Sequence, residues 1–186
     1  MEYEVRFYYS FEELNNILCK LRKEDNLKEQ PRTYEKTIQY NHSDKRYNFY
    51  SEKIDGRFRL RISSNEFETK CKLSFKKRLK YTTKSEVNKE EEKEVRINPL
   101  DFDNFIYIIN NVMHFEVVEN YERYRTVFEN EDIEISVDEY PFGVCIEIEN
   151  KSTSKNSEEV VKNYVSKLGL NINDAYRLSW DDLYLE

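Results

Sequence analysis

Three features of the sequence predict an α+β fold in which an antiparallel sheet can close into a barrel. Apolar and polar residues alternate over nine short segments, a pattern typical of half-buried strands. Three other segments carry apolar residues at helical spacing. Only 3 Gly and 3 Pro occur, which argues against a sandwich built from many tight glycine turns. The strand segments lie near 2–8, 33–40, 46–52, 56–63, 70–79, 90–97, 121–128, 132–138 and 143–149.

The helices have recognisable ends. The first begins near Ser10, which forms a capping box with Glu13. The second begins near Asn98, where the next residue is a proline at a favoured first helical position. The third begins near Ser157 and ends at Gly169. All three have an apolar stripe, so we expect them to pack on the apolar face of the sheet.

Two charged segments are predicted to be loops. Arg22 to Pro31 is charged and ends in proline, and Tyr81 to Glu92 mixes Thr, Lys, Ser and Glu. Such a charge run is usually a solvated surface.

Composition limits the classes of protein that the chain can belong to. Its 186 residues suit one domain, 1–186, and 15% aromatic residues argue against disorder. A net charge of -7 argues against non-specific coating of nucleic acid. The 3 cysteines and 2 histidines fit neither a disulfide framework nor a zinc site or Ser/His/Asp triad. No apolar run approaches the roughly 20 residues that span a bilayer, and no signal peptide is visible, so we expect a soluble, cytoplasmic protein.

The polar face of several strand segments consists of charged residues. The first segment sets Tyr3, Val5 and Phe7 on one face against Glu2, Glu4 and Arg6 on the other. On any single strand this pattern indicates an ordinary solvated face. The signs, however, are separated, whereas a solvated surface usually intersperses them. Basic segments carry Arg59, Arg61, Arg123 and Arg125, and acidic segments carry Glu2, Glu4, Glu147 and Glu149.

If the apolar face of the sheet turns outward against the helices, these charged faces line a cavity with one basic and one acidic wall. A polyphosphate needs Arg and Lys contacts together with a divalent ion that bridges its oxygens. Clustered carboxylates are the hard oxygen ligands that Mg²⁺ or Mn²⁺ prefers. The two sets of charged residues meet both requirements.

The ordered motifs resemble those of the CYTH, or triphosphate tunnel metalloenzyme, family. Glu2, Glu4 and Arg6 are similar to its N-terminal E-x-E-x-K signature, with arginine in place of lysine. The segment 137–149 resembles its L-D-x-v…G-x-f-x-E-I-E hairpin, which is the most specific match. Further matching pieces follow in the family's order: Arg59 and Arg61, Lys76, Glu92 and Glu94, and Arg123 and Arg125. Ile38 departs from the family, which often has Asp there.

The resemblance implies an eight-stranded antiparallel tunnel with helices outside, and it implies two sets of site residues. The triphosphate-binding set is Arg6, Arg59, Arg61, Lys76, Arg123 and Arg125. The set holding Mg²⁺ or Mn²⁺ is Glu2, Glu4, Glu92, Glu94, Asp138, Glu147 and Glu149, of which Glu2, Glu4 and Glu149 are the expected catalytic residues.

By resemblance, the expected activity is metal-dependent triphosphate hydrolysis. The substrate is left open among inorganic triphosphate, a nucleoside triphosphate, thiamine triphosphate and an RNA 5′ end. The alternatives are an adenylate cyclase of the class that shares the tunnel and a polyphosphate-binding module without turnover. We expect a small-molecule partner and no membrane partner, and a homodimer stays open.

Overall fold

Ten strands and three α-helices make up the regular part of the protein in a computed structural model, which describes residues 2–51, 54–79, 87–151 and 157–176. The strands are β1 (Glu2–Tyr9), β2 (Lys28–Glu29), β3 (Thr33–His42), β4 (Tyr50–Ser51), β5 (Ile54–Ser64), β6 (Thr69–Arg78), β7 (Asn88–Ile97), β8 (Phe115–Glu129), β9 (Ile133–Tyr140) and β10 (Gly143–Asn150). The helices are α1 (Leu14–Leu21), α2 (Phe102–Tyr107) and α3 (Ser157–Lys167). In the described residues, no helix is both long and apolar enough to cross a membrane.

The hydrogen-bonded order of the strands returns to its starting strand. It runs β2-β8-β3-β5-β6-β7-β1-β10-β9, and β8 also pairs with β9. Without the two-residue strands β2 and β4, eight strands form this antiparallel ring. The predicted α+β fold with an eight-stranded antiparallel barrel is confirmed.

Contacts divide the chain into two compact units, each with its own core. Unit 1 comprises residues 1–30, 80–89 and 125–186, and unit 2 comprises residues 31–79 and 90–124. In unit 1 the apolar faces of β1, β9 and β10 pack against α1 and α3, with Val5, Ile148 and Val161 fully buried. In unit 2, α2 packs on the sheet around Leu60 and Tyr40. Both cores lie on the apolar strand faces that the alternation predicted.

The predicted helix ends are confirmed. The Ser10 backbone N–H donates to Glu13 Oε2 at 3.1 Å, and the chain enters α1 through the 3₁₀ turn Phe11–Glu13. Before α2 the Asn98 side chain accepts from the Leu100 N–H at 3.1 Å. After α3, Gly169 takes the left-handed φ of 63°, which glycine adopts at no steric cost.

Three element boundaries differ from the prediction. The predicted strand 46–52 is instead a 3₁₀ turn, Lys45–Tyr47, followed by the short β4, because the Asp44 carboxylate accepts from the Arg46 N–H and stabilises a turn. Strand β8 begins at Phe115, well before the predicted 121. Strand β7 begins at Asn88, so the predicted loop 81–92 ends earlier, and its residues 81–86 lie outside the described ranges.

Candidate active site

Strand register in unit 1 places the predicted acidic residues on one face. In the antiparallel pairing of β1 with β10, Glu4 is opposite Glu149 and Arg6 is opposite Glu147. In the pairing of β10 with β9, Cys145 is opposite Asp138. Residues that are directly opposite share a face and side chains alternate along a strand, so these groups share the face away from the apolar core.

Two arginines, Arg6 and Arg125, join three of the carboxylates, Glu4, Asp138 and Glu147. We call these three carboxylates the acidic group. Arg6 donates to Glu4 Oε1 at 2.5 Å and to Glu147 Oε1 at 2.7 Å. Arg125 donates to Asp138 Oδ1 and Oδ2 at 2.6 and 2.7 Å and to Glu147 Oε2 at 2.7 Å. Glu4 and Asp138 are 1% and 0% exposed, so their charges depend on these partners. Arg125, predicted to bind phosphate, lies among the predicted metal ligands.

Glu2 and Glu149 complete the acids of this face. Glu2 lies two residues before Glu4 on β1, and Glu149 lies opposite Glu4; both side chains are partly buried. The structure therefore brings the three predicted catalytic residues, Glu2, Glu4 and Glu149, onto one face of neighbouring strands.

The basic residues of unit 2 also share a face. The register aligns Gln39, Arg59 and Ser74 across β3, β5 and β6, and it pairs Arg57 with Lys76. We call Arg57, Arg59, Arg61, Lys76 and Arg123 the basic group. Strands β5, β6 and β8 thus carry five of the chain's cations on the side away from the Leu60 core.

Neutral side chains hold two of these arginines. Arg59 Nε donates to Gln39 Oε1, and Arg61 Nε donates to Thr37 Oγ1, both at 2.9 Å. The carboxylate nearest to Arg61 is that of Glu35, 3.8 Å from Nη1. In the described parts of the chain, no carboxylate forms an ion pair with Arg59. Both guanidinium groups are thus oriented by neutral partners. The charge of Arg59 is available to an anionic ligand, whereas Glu35 partly balances the charge of Arg61.

Arg123 is held differently from Arg59 and Arg61. It is 4% exposed, and its Nε and Nη2 lie 2.8 and 2.7 Å from Glu35 Oε2. Tyr121 precedes it by two residues on β8. Burial alone raises the pKa of Tyr121, but the charges of Arg59, Arg61 and Arg123 together bring it below its ordinary value. This shift reports a strongly positive potential around the phenol.

A buried carboxylate that the sequence reasoning missed lies beside Lys76. Glu90 is 1% exposed, and its oxygens lie 3.3 Å from Lys76 Nζ, 3.0 Å from Arg78 Nε and 3.9 Å from Arg57 Nη1. Glu90 has the same parity on β7 as the predicted ligands Glu92 and Glu94. Its position two residues before Glu92 on the same strand could have identified Glu90 from the sequence.

Glu92 and Glu94 belong to unit 2, whereas the acidic group belongs to unit 1. Glu92 is opposite Lys76 in the pairing of β6 with β7. Glu94 is exposed, and Lys72 Nζ donates to it at 2.6 Å. Their assignment as metal ligands stays a prediction.

The donor chemistry of the acidic face fits a hard divalent cation. Glu2, Glu4, Asp138, Glu147 and Glu149 offer only carboxylate oxygens, which Mg²⁺ and Mn²⁺ prefer. Within the described ranges, however, no three Asp, Glu, His or Cys side chains are grouped closely enough to form a ready cation site.

No protein-family model matches the sequence, and no curated protein matches it. Solved structures do resemble the fold. The PH1819 protein of Pyrococcus horikoshii OT3 superimposes with a TM-score of 0.77 at 23% identity, over 100% of this chain and 98% of that chain. A candidate adenylate cyclase of Vibrio parahaemolyticus gives a TM-score of 0.71 at 13% identity, over 99% of this chain and 98% of that one.

A third structure carries a described activity. HpAC1 of Hippeastrum, for which a dominant triphosphatase activity is described, gives a TM-score of 0.62 at 17% identity, over 91% of this chain and 89% of that chain. The chain shares the fold of these three structures. Identities of this size establish the shared fold alone and leave the reaction to be argued from this chain's residues.

Proposed function

We propose that the chain hydrolyses the terminal phosphoanhydride bond of a triphosphate with the help of Mg²⁺ or Mn²⁺. The observation that carries the proposal is that the neutral side chains of Gln39 and Thr37 orient the guanidinium groups of Arg59 and Arg61. Within the described residues no carboxylate forms an ion pair with Arg59, so its charge is available to an anion. Guanidinium groups recognise phosphate oxygens in pairs of parallel hydrogen bonds, and several of them on one face suit a chain of phosphates.

The basic group binds the substrate in this proposal. Arg59 and Arg61 donate to phosphate oxygens, while Gln39 and Thr37 fix the direction of their side chains. Arg123 and Lys76 add positive charge and are themselves positioned by the buried carboxylates Glu35 and Glu90. Positioning of this kind reduces the entropy that substrate binding must remove.

Within unit 1, the divalent ion would be held by the carboxylates Glu2, Glu4, Asp138, Glu147 and Glu149. Bound there, the ion would neutralise the negative charge that develops on the phosphate oxygens. Glu92 and Glu94 of β7, in unit 2, stay predicted ligands on their own strand. Arg6 and Arg125 are further phosphate-binding candidates within unit 1.

The reaction needs a water molecule in line with the terminal phosphorus. In this proposal Glu2, Glu4 and Glu149, which share one strand face, accept a proton from it and orient its oxygen. The new bond joins that oxygen to phosphorus, the anhydride P–O bond breaks, and the two shorter phosphates leave. No covalent intermediate is needed, because positioning and electrostatics supply the catalysis.

An adenylate cyclase reaction is the second candidate, and its support is the structural likeness to the Vibrio parahaemolyticus protein. One assay separates the two. The purified protein is incubated with Mg²⁺ or Mn²⁺ and, separately, with inorganic triphosphate, ATP, thiamine triphosphate and triphosphate-ended RNA, and the products are resolved. Orthophosphate supports the hydrolase, while pyrophosphate with a cyclic nucleotide supports the cyclase. Binding without any product supports a polyphosphate-binding module.

A further inference from the structure

Arg6 and Arg125 occupy the same carboxylates that the proposed function assigns to a metal ion. Arg6 bridges Glu4 and Glu147, and Arg125 bridges Glu147 and Asp138, with all five contacts between 2.5 and 2.7 Å. The carboxylates and guanidiniums therefore form one unbroken chain of alternating charge, in which Glu147 is shared by both arginines.

This arrangement opposes uptake of an ion by the free protein. Each N–H donated to a carboxylate oxygen occupies one of the about four lone-pair sites of that carboxylate, and each guanidinium charge repels a divalent cation. An ion therefore binds more readily once an arginine has moved away. Arg6 is only 5% exposed, and a buried guanidinium that loses its anionic partner is strongly disfavoured.

A polyphosphate can remove that obstacle, because its oxygens match the guanidinium fork as well as a carboxylate does. We propose that Arg6 and Arg125 exchange carboxylate for phosphate when a polyphosphate binds, so that a divalent ion and the polyphosphate each strengthen the binding of the other. The inference rests on the proposed function, in which Glu4, Asp138 and Glu147 hold the ion. Coupling between two ligands is reciprocal and typically amounts to about 5- to 150-fold in affinity.

Equilibrium dialysis of Mn²⁺ tests this directly. The wild-type protein is dialysed with Mn²⁺ alone and with Mn²⁺ plus a methylene-bridged tripolyphosphate analogue that resists hydrolysis. Because free Mn²⁺ and free Mn²⁺–analogue complex equalise across the membrane, the excess on the protein side reports only what the protein holds. We expect the excess Mn²⁺ to correspond to an affinity at least about 5-fold higher when the analogue is present.

Variants of Arg6 identify the residue responsible. Arg6→Gln removes the competing cation, so we expect Mn²⁺ alone to bind about 10-fold more tightly than to the wild type, and the effect of the analogue to shrink. Arg6→Lys keeps the charge but is a single point donor, so it should fall between the two. Arg22→Gln is the matched control, since Arg22 forms an exposed ion pair with Glu29 elsewhere in unit 1. Thermal unfolding checks that each variant is folded, and Arg6→Lys serves if Arg6→Gln is not.

Equal Mn²⁺ binding by the wild type with and without the analogue would overturn the inference. So would Arg6→Gln and Arg6→Lys proteins that bind Mn²⁺ alone no better than the wild type. Since the measurement involves no turnover, it is separable from the proposed function. A protein that shows the coupling but releases no phosphate fails only as a hydrolase, and one that releases phosphate without coupling contradicts only this inference.

Discussion

Glu4 lies directly opposite Glu149 in the antiparallel pairing of β1 with β10, and Glu4 is 1% exposed. Like charges that face each other across paired strands are destabilising, and burial increases the cost. Arg6 offsets it by donating to Glu4 at 2.5 Å. A cation site requires several acids close together, even when their repulsion lowers stability. Glu4 and Glu149 are therefore the first residues to test.

The change Glu4→Gln should lower metal-dependent phosphate release by about 100-fold or more, because removing one preorganised electrostatic group typically costs about 10²–10³ in rate. The protein should stay folded, since the amide oxygen of glutamine can still accept from Arg6. Phosphate release with Mg²⁺ or Mn²⁺ measures the rate, and thermal unfolding measures the stability. Glu149→Gln should behave in the same way.

The control for these variants is Glu131→Gln, since Glu131 is an exposed loop residue of the same unit. It should leave phosphate release unchanged. If Glu4→Gln and Glu149→Gln both turn over at the wild-type rate, the assignment of the metal site is wrong.

The change Arg59→Ala should weaken binding of inorganic triphosphate by about 10- to 100-fold, because a charge-assisted hydrogen bond is worth about 1.5–3 kcal/mol. Arg125→Ala should weaken it as well. Binding is measured by calorimetry at a fixed salt concentration, since screening alters the contribution of each charge. Arg46→Ala is the control, because the Arg46 side chain is 78% exposed. Wild-type affinity in both Arg59→Ala and Arg125→Ala would show that the basic residues do not bind the substrate.

Much of this arrangement could be predicted from the sequence, because the side chains of a strand alternate with a period of two. That period alone put Glu2, Glu4 and Arg6 on the face opposite Val5. The antiparallel barrel could be predicted for the same reason, since nine alternating segments leave few other ways to bury their apolar faces.

The ion pairs could not be predicted in this way, because they join residues that are far apart in the chain. Arg6 and Glu147 are 141 positions apart, and Arg125 and Asp138 meet only through the pairing of β8 with β9. Periodicity assigns a residue to a face but not to a partner. The resemblance placed Arg125 with the phosphate-binding residues, and in the structure its guanidinium also binds Asp138 and Glu147.

Gly56 lies near the start of β5, the strand that carries three arginines of the basic group. Its N–H donates to Phe49 O at 2.7 Å, and a Cβ added there would lie 2.5 Å from that same oxygen. Gly56→Ala should therefore lower the free energy of unfolding by about 1–3 kcal/mol, the usual cost of overpacking. Urea unfolding measures it. Ile54→Ala, at a position that is 40% exposed, is the control and should cost less. Equal stability of Gly56→Ala and the wild type would mean that the Phe49 backbone can move aside.

Tyr121 reports the charge of the basic group without any substrate. Arg59, Arg61 and Arg123 outweigh burial and lower its pKa, whereas the hydrogen bond with Glu122 raises the pKa of Tyr34 to about 12. In an alkaline titration followed by tyrosinate absorbance, Tyr121→Phe should remove the component that ionises below the ordinary value of about 10. Tyr34→Phe should remove only a component at higher pH.

The lowered pKa of Tyr121 also predicts how stability depends on pH. A group that ionises more easily in the folded state adds stability that is complete above its unfolded pKa of about 10 and is lost as the pH falls through its folded pKa. The stability difference between the wild type and Tyr121→Phe should therefore shift in favour of the wild type as the pH rises through that window. Arg59→Ala should reduce this shift, because it removes one of the three charges that favour the phenolate. A difference that is constant with pH would contradict the positive potential inferred for this part of unit 2.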